Sequence, residues 1–308
     1  MAVLEIDALT KRYGRVLAVD DVSFRVERGQ VFGLLGQNGS GKTTTLSCAL
    51  GLLRPTGGRT AVLGEPWRTV HRTQGRVGVV FDAPILTKGL TIRGQLRYAR
   101  RLFGHDGGRS LDEALDLVGM GPLAGRRVTR LSLGQQKRLA VAAALMGTPE
   151  LLILDEPLSG LDPLGARDLL RLFGELAADG VTIVVSSHRL NDIEPVLTHA
   201  AVVLNGRLAA SGSMEELLGA RRGLTLRVGD PESAVRLLGE RFETATPSKG
   251  AGDRIELQGA AASDAPLVAR TLVDSGIDVH ELAPREQSLA SLFEELAEAA
   301  RADHGGPG

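Results

Sequence analysis

Residues 1–215 alternate between short runs of consecutive aliphatic residues and stretches in which apolar positions recur every three or four residues. Gln30–Leu35 (QVFGLL), Arg76–Phe81 (RVGVVF), Leu151–Leu154 (LLIL) and Val181–Ser186 (VTIVVS) are of the first kind. Unbroken apolar strands of this sort suit a sheet covered on both faces. Between them lie helical stripes. Ser110-Leu111-Asp112-Glu113 is a capping box that leads into Leu111, Ala114, Leu115 and Val118 on one face. Leu169, Leu170, Phe173 and Leu176 repeat the stripe, and Gly180 sits just past its end. Ala201–Leu204, Asn205-Gly206 and Arg207–Ala210 read as a hairpin on a type I′ turn. The alternation predicts an α/β core with some antiparallel sheet.

The pattern changes after Gly212. Met214–Leu218 reads as a short helix and Arg221–Gly223 as a linker. Leu224–Val228 then alternates like a strand, and Pro231–Leu238 is helical. Phe242–Thr246 and Arg254–Leu257 read as strands around a Ser248-Lys249-Gly250 turn. Asp264–Asp274 is helical again, and Ile277–Leu282 alternates. That β-α-β-β-α-β order predicts a small ferredoxin-like α+β domain. A last amphipathic helix carries Leu289, Leu292, Phe293 and Leu296, and a Gly/Pro tail is expected to be disordered. The expected layout is a first domain over 1–219, a second over 220–300 and a tail over 301–308.

Composition narrows the class. At 308 residues and 43% hydrophobic, the chain is long and apolar enough for two packed cores. Lys+Arg at 36 against Asp+Glu at 37 leaves a net charge of −1, so no overall field draws in nucleic acid or an anionic membrane. Aromatics at 3% disfavour a base-stacking platform. One cysteine, Cys48, excludes an internal disulfide and a Cys-rich metal site. No run approaches the ~18 consecutive apolar residues of a membrane span. Glu5 and Asp7 stand where a signal peptide needs basic and then apolar residues. The expectation is a soluble cytoplasmic chain, with any membrane spans carried by another polypeptide.

Four local motifs carry candidate chemistry. Gly36-Gln37-Asn38-Gly39-Ser40-Gly41-Lys42-Thr43 fits G-x-x-x-x-G-K-S/T, between a predicted strand and a helical run from Thr44. Its glycines let backbone N–H groups wrap a β-phosphate, Lys42 neutralises β- and γ-oxygens, and the Thr43 hydroxyl can hold Mg²⁺. The plainer reading is a flexible turn, against which the strand–loop–helix setting speaks. Asp155 and Glu156 end an apolar strand, where Asp155 can organise Mg²⁺ and Glu156 can polarise a water, or where both simply form an acidic surface turn. Ser132 and Gly134 open a helical run, as an anion cradle or as a plain N-cap. His188 follows the strand Val181–Ser186, as a donor to a γ-phosphate or as an ordinary satisfied histidine.

In this order and spacing, GQNGSGKTT, LSLGQ, LLILDEPLSGLDP and VVSSH resemble the nucleotide-binding subunit of ABC transporters, over residues 3–215. The resemblance implies a P-loop NTPase cassette of mixed sheet core, antiparallel β subdomain and a helical subdomain at about 83–150. It implies that Tyr13 stacks on adenine and that Gly36, Asn38, Gly39, Ser40, Gly41, Lys42, Thr43 and Thr44 form the phosphate loop. Thr43, Asp82 and Asp155 are implied as the Mg²⁺ set, with Glu156, His188 and Lys42 as catalytic residues for ATP hydrolysis. Ser159, Gly160, Leu161 and Asp162 match the D-loop. Ser132, Leu133, Gly134 and Gln135 match the signature that completes the site of the opposite subunit. A head-to-tail homodimer is implied, together with an integral membrane permease as partner, at the cytoplasmic face of the membrane. No nucleic-acid partner is implied.

Two departures from the family pattern stand out. LSLGQ replaces LSGGQ but keeps Ser132 and Gly134. Asp82 stands where the family has glutamine, shorter and anionic, still able to meet Mg²⁺ directly or through water. The C-terminal stretch 220–298, with GIDVHELAP and SLASLFEEL, resembles the extension of ATPases from ABC-2-type exporters. It is expected to be a dimer-stabilising appendage, or else a regulatory ligand site. An importer ATPase remains an alternative reading. A DNA-maintenance ABC ATPase would need a long coiled-coil insertion, and 82–131 is too short for one. A translation factor of the ABC type would carry two P-loops, and one is present.

Overall fold

Strand β1 (Ala2–Tyr13) folds back on β2 (Val16–Glu27) through a turn with Gly14 at φ 55° in the computed structural model. The described residues are all but 74, 104–108, 220–222, 243–245, 250–253, 285–287 and 305–308. β3 (Val31–Leu35) runs into α1 (Lys42–Ala49). β4 (Gly57–Val62) and β5 (Glu65–Pro66) join the hairpin in an antiparallel sheet of order β2-β1-β4-β5. After β6 (Val77–Val80) come α2 (Ile92–Phe103), α3 (Leu111–Leu117) and α4 (Leu133–Ala144). Then follow β7 (Leu151–Asp155), α5 (Pro163–Ala178), β8 (Thr182–Ser187) and the short α6 (Leu190–Ile193). β9 (His199–Leu204) and β10 (Arg207–Ser213) close the second sheet, of order β10-β9-β3-β8-β7-β6. Only the β10–β9 pair in it is antiparallel.

Every residue of β3, β7 and β8 is buried, as the unbroken apolar runs require of a doubly covered parallel sheet. Phe24 and Phe32 stack with ring centroids 5.3 Å apart between the two sheets' cores. α5 begins at Asp162, whose Oδ1 accepts the Gly165 N–H at 2.6 Å, with Pro163 in its first turn. It buries Leu169, Leu172, Phe173 and Leu176, so Leu172 rather than Leu170 continues the stripe. The capping box at Ser110 and Glu113 and the Asn205-Gly206 turn, at φ 50° and 82°, form as the sequence indicates.

The long β1–β2 hairpin is not legible as two strands in the sequence. Its register shifts at Ile6/Leu9 and Leu9/Lys11 mark bulges, and each bulge breaks the period-two alternation by which a half-buried strand is read.

The chain divides into two compact units, Met1–Ser213 with Leu296–Gly308, and Met214–Glu295. α7 (Met214–Gly219) therefore falls with the second unit. That unit continues with β11 (Gly223–Val228), α8 (Pro231–Arg241), β12 (Thr246–Lys249), β13 (Arg254–Gln258), α9 (Ala265–Asp274), β14 (Val279–Pro284) and the start of α10 (Leu289–His304). Its sheet is antiparallel throughout, in the order β12-β13-β11-β14, which is the ferredoxin-like arrangement. Leu224, Leu226, Val228, Leu238, Ile255 and Leu272 are fully buried in its core.

Three local expectations change. α8 runs on to Arg241 with Phe242 as its C-cap, so Phe242 does not open the expected strand; 243–245 lie outside the described residues, and Thr246 is in β12. Ser248 and Lys249 are consequently strand residues facing Glu256 and Ile255, and Gly250 lies outside the described residues. Gly223 opens β11 rather than ending a linker, and 220–222 lie outside the described residues. α10 extends through His304, into the stretch expected to be a tail, and 305–308 lie outside the described residues. Among the described residues, no helix is long and apolar enough to cross a membrane.

Glu150 ties three segments together just before β7. Its carboxylate meets the Arg76 guanidinium and lies 2.6 Å from Arg28, and its N–H donates to the Arg76 carbonyl at 2.8 Å. The Arg76 hydrogen bond, with Arg28 behind it, holds the Glu150 carboxyl below its ordinary value. A depressed folded-state value contributes stability that is present above the unfolded value and lost as pH falls through the folded one. Glu150→Gln is expected to lower Tm by about 2 °C at neutral pH, as for a partly exposed ion-pair network of roughly 1 kcal/mol. Thermal unfolding followed at decreasing pH should show this gap closing in acid; a gap that widens there contradicts the assignment.

Candidate active site

Because β3, β8, β7 and β6 are parallel and in step, their C-terminal ends bring separate motifs to one edge of the sheet. Leu35 pairs with Ser187, Asp155 with Ser186, and Val80 with Leu154. The residues that follow each strand therefore meet.

The loop from Gly36 to Gly41 wraps the start of α1. Gly39 and Gly41 take φ values of 82° and 103°, which the left-handed region reserves largely for glycine. A Cβ on Gly41 would stand 2.5 Å from the Ala18 carbonyl oxygen, so the loop also needs glycine for space. Backbone bonds brace it from behind. Gly206 N–H donates to the Ser40 carbonyl at 3.1 Å, and Asp20 N–H donates to the Gly206 carbonyl at 2.8 Å. Lys42, only 5% exposed, donates to the carbonyls of Gly36 at 2.7 Å and Gln37 at 3.1 Å. Its Nζ lies 3.5 Å from Glu156 Oε1. Burial pushes the Lys42 ammonium below its ordinary value, while Glu156 and then Asp155 pull it back up.

Asp155 is a hub. Thr43 Oγ1 donates to its Oδ2 at 2.9 Å and lies 3.1 Å from Oδ1, and the Ser186 hydroxyl donates to Oδ1. Hydroxyl and carboxylate oxygens held this close are the hard donor set that suits Mg²⁺, which takes few protein ligands and fills the rest with water and phosphate. The residues present thus fit that ion. Glu156 has φ 49°, and its Oε2 lies 2.8 Å from His188 Nδ1. Its Oε1 is buried without a hydrogen-bond partner among the described residues, 3.5 Å from Lys42 Nζ.

An open cavity of about 240 Å³ collects Gly39, Ser40, Lys42, Thr43, Asp82 and Glu156. Asp82 thus reaches the same space as the phosphate loop, but its Oδ1 is 3.0 Å from Lys137 Nζ rather than bonded to Thr43 or Asp155. Tyr13 is not part of that cavity lining. It ends β1, is 45% exposed, and carries Lys11 Nζ 4.8 Å above its ring. Asn38 lines the cavity and Thr44 follows in the first turn of α1.

The LSLGQ segment forms at a different place. Ser132 caps α4 in a full capping box, accepting the Gln135 N–H at 3.3 Å while Gln135 Oε1 accepts the Ser132 N–H at 3.2 Å. A second cavity, of about 480 Å³, brings Ser132, Leu133 and Gly134 beside Gly160, Leu161 and Asp162. Leu133, 47% exposed, packs so closely on Gly160 that a Cβ there would collide with its side chain. Each half of the motif set is thus assembled, but in two separate cavities.

Two contributing residues went unread in the sequence. Ser186 holds both Asp155 and, at 3.1 Å, the Glu156 N–H. Lys137 holds Asp82 and, at 2.6 Å, the Glu156 carbonyl. The available signal was a lysine at a position of α4 that shares a face with Val141 and Ala144.

Residues 19–159 match the family described as ABC transporter. The chain is 33% identical over 297 residues to a bacitracin transport ATP-binding protein of Bacillus licheniformis, covering 96% of this chain and 97% of that protein. It is 34% identical over 286 residues to a Nod factor export ATP-binding protein of Cupriavidus pinatubonensis, covering 90% and 86% respectively. A solved ATP-binding subunit of an ABC transporter superposes with a TM-score of 0.65 at 29% identity, over 70% of this chain and 91% of that one. A dimeric cassette bound to ADP and phosphate shares the fold, with a TM-score of 0.62 at 24% identity over 68% of this chain and 98% of that one. A glycine-rich loop of G-x-x-x-x-G-K-S/T form, two carboxylates at the adjoining strand end and these likenesses lead to one conclusion: the chain belongs to the ATP-binding proteins of ABC transporters and is an ATPase.

Proposed function

We propose that this ATPase drives export through a separate integral membrane permease, as a head-to-tail homodimer on the cytoplasmic face of the membrane. The observation that carries the export reading is the extent of the likeness. The solved cassettes above match 68–70% of the chain, whereas the bacitracin transport protein matches 96% of it, the C-terminal unit included. The substrate class is then that of an ABC-2-type exporter, a drug, antibiotic or saccharide-bearing molecule selected by the permease. An importer would be the better reading if the neighbouring genes encoded a solute-binding protein as well as a permease.

In this reading the phosphate loop binds the triphosphate through its N–H groups and Lys42, and Tyr13 offers its ring to adenine. Thr43 and Asp155 would hold Mg²⁺, with Asp82 lining the same cavity, and the ion would supply charge neutralisation for the phosphates. Glu156 accepts the proton of the attacking water, and His188 orients its carboxylate. Ser132, Gly134 and the Gly160–Asp162 loop complete the partner's site, because on one chain they lie in a cavity of their own. An isologous two-fold gives each subunit both halves. For the permease, the family resemblance implies contact through Pro84–Leu96, where Ile85 is exposed, and α2 adds Tyr98 and Leu102, one turn apart and exposed. The C-terminal unit serves the dimer rather than the chemistry.

Co-purification with the permease encoded alongside should give a complex whose ATPase rate rises with a transported compound; a chain that never associates with it argues against the export assignment. Glu156→Gln should still bind ATP but turn it over at least about tenfold more slowly, since water activation is lost. Gly41→Ala should fold yet lose nucleotide binding, because the loop can neither hold φ 103° nor clear the Ala18 carbonyl. Titration with a fluorescent ATP analogue checks both variants, and near-parental affinity in Gly41→Ala would contradict the loop assignment.

A further inference from the structure

Lys137 is 1% exposed, on the apolar face of α4 and five residues beyond the Ser132 cap. An ammonium is taken out of water at a cost of several kcal/mol unless it is paired and hydrogen-bonded. Its two recorded partners lie on other segments: Asp82, after β6, at 3.0 Å, and the backbone carbonyl of Glu156, after β7, at 2.6 Å. One buried cation thus joins the signature helix to the position where the family has its glutamine and to the backbone of Glu156.

The Glu156 backbone explains why such a contact matters. Its φ of 49° is uncommon for a residue with a Cβ, and strain of this kind persists only where the surroundings over-determine it. Here both ends of the residue are clamped. Its N–H is held by the Ser186 hydroxyl at 3.1 Å and the Ser186 carbonyl at 3.2 Å, and its C=O is held by Lys137. The side chain that emerges between these clamps is the one set 3.5 Å from Lys42 and 2.8 Å from His188.

We propose that Lys137 is a positioning residue for hydrolysis, fixing the Glu156 peptide so that its carboxylate faces the water, with Asp82 as the counter-ion that holds the ammonium in place. Displacement of α4 then misaligns the base directly, so the signature helix regulates the hydrolytic site of its own subunit as well as completing the partner's. The inference rests on Glu156 being the base.

Lys137→Met keeps the length and the buried stem. It leaves Asp82, whose side chain is 57% exposed, free to turn to water, so no charge is stranded in the interior. In the full chain, this variant should lose at least about tenfold in kcat, since small misplacements of a reacting group are costly. Its affinity for a fluorescent ATP analogue should stay within about twofold. Lys137→Gln retains an N–H donor for the Glu156 carbonyl and should recover to within about threefold of the parent; it also serves should the methionine variant not fold. Added to Glu156→Gln, Lys137→Met should cost nothing further, because both act through one group. Parental turnover in Lys137→Met, or a loss that multiplies with that of Glu156→Gln, overturns the positioning role while leaving the base assignment standing. Parental turnover in Glu156→Gln removes the base assignment itself, and this inference with it.

Discussion

Everything chemical in the cassette depends on four parallel strands ending at one level. β3, β8, β7 and β6 can lie parallel only because a helix-bearing crossover separates each in the chain, and their apolar runs are buried on both faces. The geometry converts sequence separation into proximity. Thr43 and Asp155 share hydrogen bonds, and Asp155 in turn shares one with Ser186, although three different strands deliver them. Shift one strand by a residue and its side chain would point to the other face of the sheet.

The charges gathered at that edge are nearly balanced against one another. Lys42 and Lys137 are almost fully buried, as is Asp155, while Glu156 and Asp82 complete the cluster. Two ammonium groups against three carboxylates leave the set short of positive charge even before a triphosphate arrives. In the proposed reading a divalent cation offsets that deficit, with the hydrogen-bonded pair Thr43–Asp155 offering oxygen donors. The same balance leaves Lys42 poised between Glu156 and the loop carbonyls, a compromise that incoming phosphate oxygens can resolve in their own favour.

How much of this was legible in the sequence depended on how local the signal was. The strand–loop–helix at Gly36–Thr43, the Asp155-Glu156 strand end and the Ser110 capping box are written in a few adjacent residues and form where the sequence puts them. The ferredoxin-like unit read correctly in element order, but at β12 the expected start, Phe242, is instead the C-cap of α8, and the described strand covers Thr246–Lys249. The β1–β2 hairpin hid behind its bulges. Lys137 and Ser186 were invisible for another reason: a lysine in a helix and a serine at a strand end are usually solvated, and only the folded packing places them against Asp82, Asp155 and Glu156. Ser132 shows the reverse. Its plainer reading as an N-cap is realised in full, and in the family's scheme the same residue serves the partner's nucleotide.

The hairpin turn at Asn205-Gly206 has a further consequence, for the order in which the protein is made. The phosphate loop is made early, but Gly206, whose N–H braces the Ser40 carbonyl, is synthesised only after β7 and β8. β9, the strand that flanks β3 on its other side, arrives just before it. A nascent chain therefore carries the nucleotide motif long before it carries the frame that gives the motif its shape. The brace on Ser40 is a contact of high sequence separation, closed late in synthesis, and the loop's full backbone support waits on it.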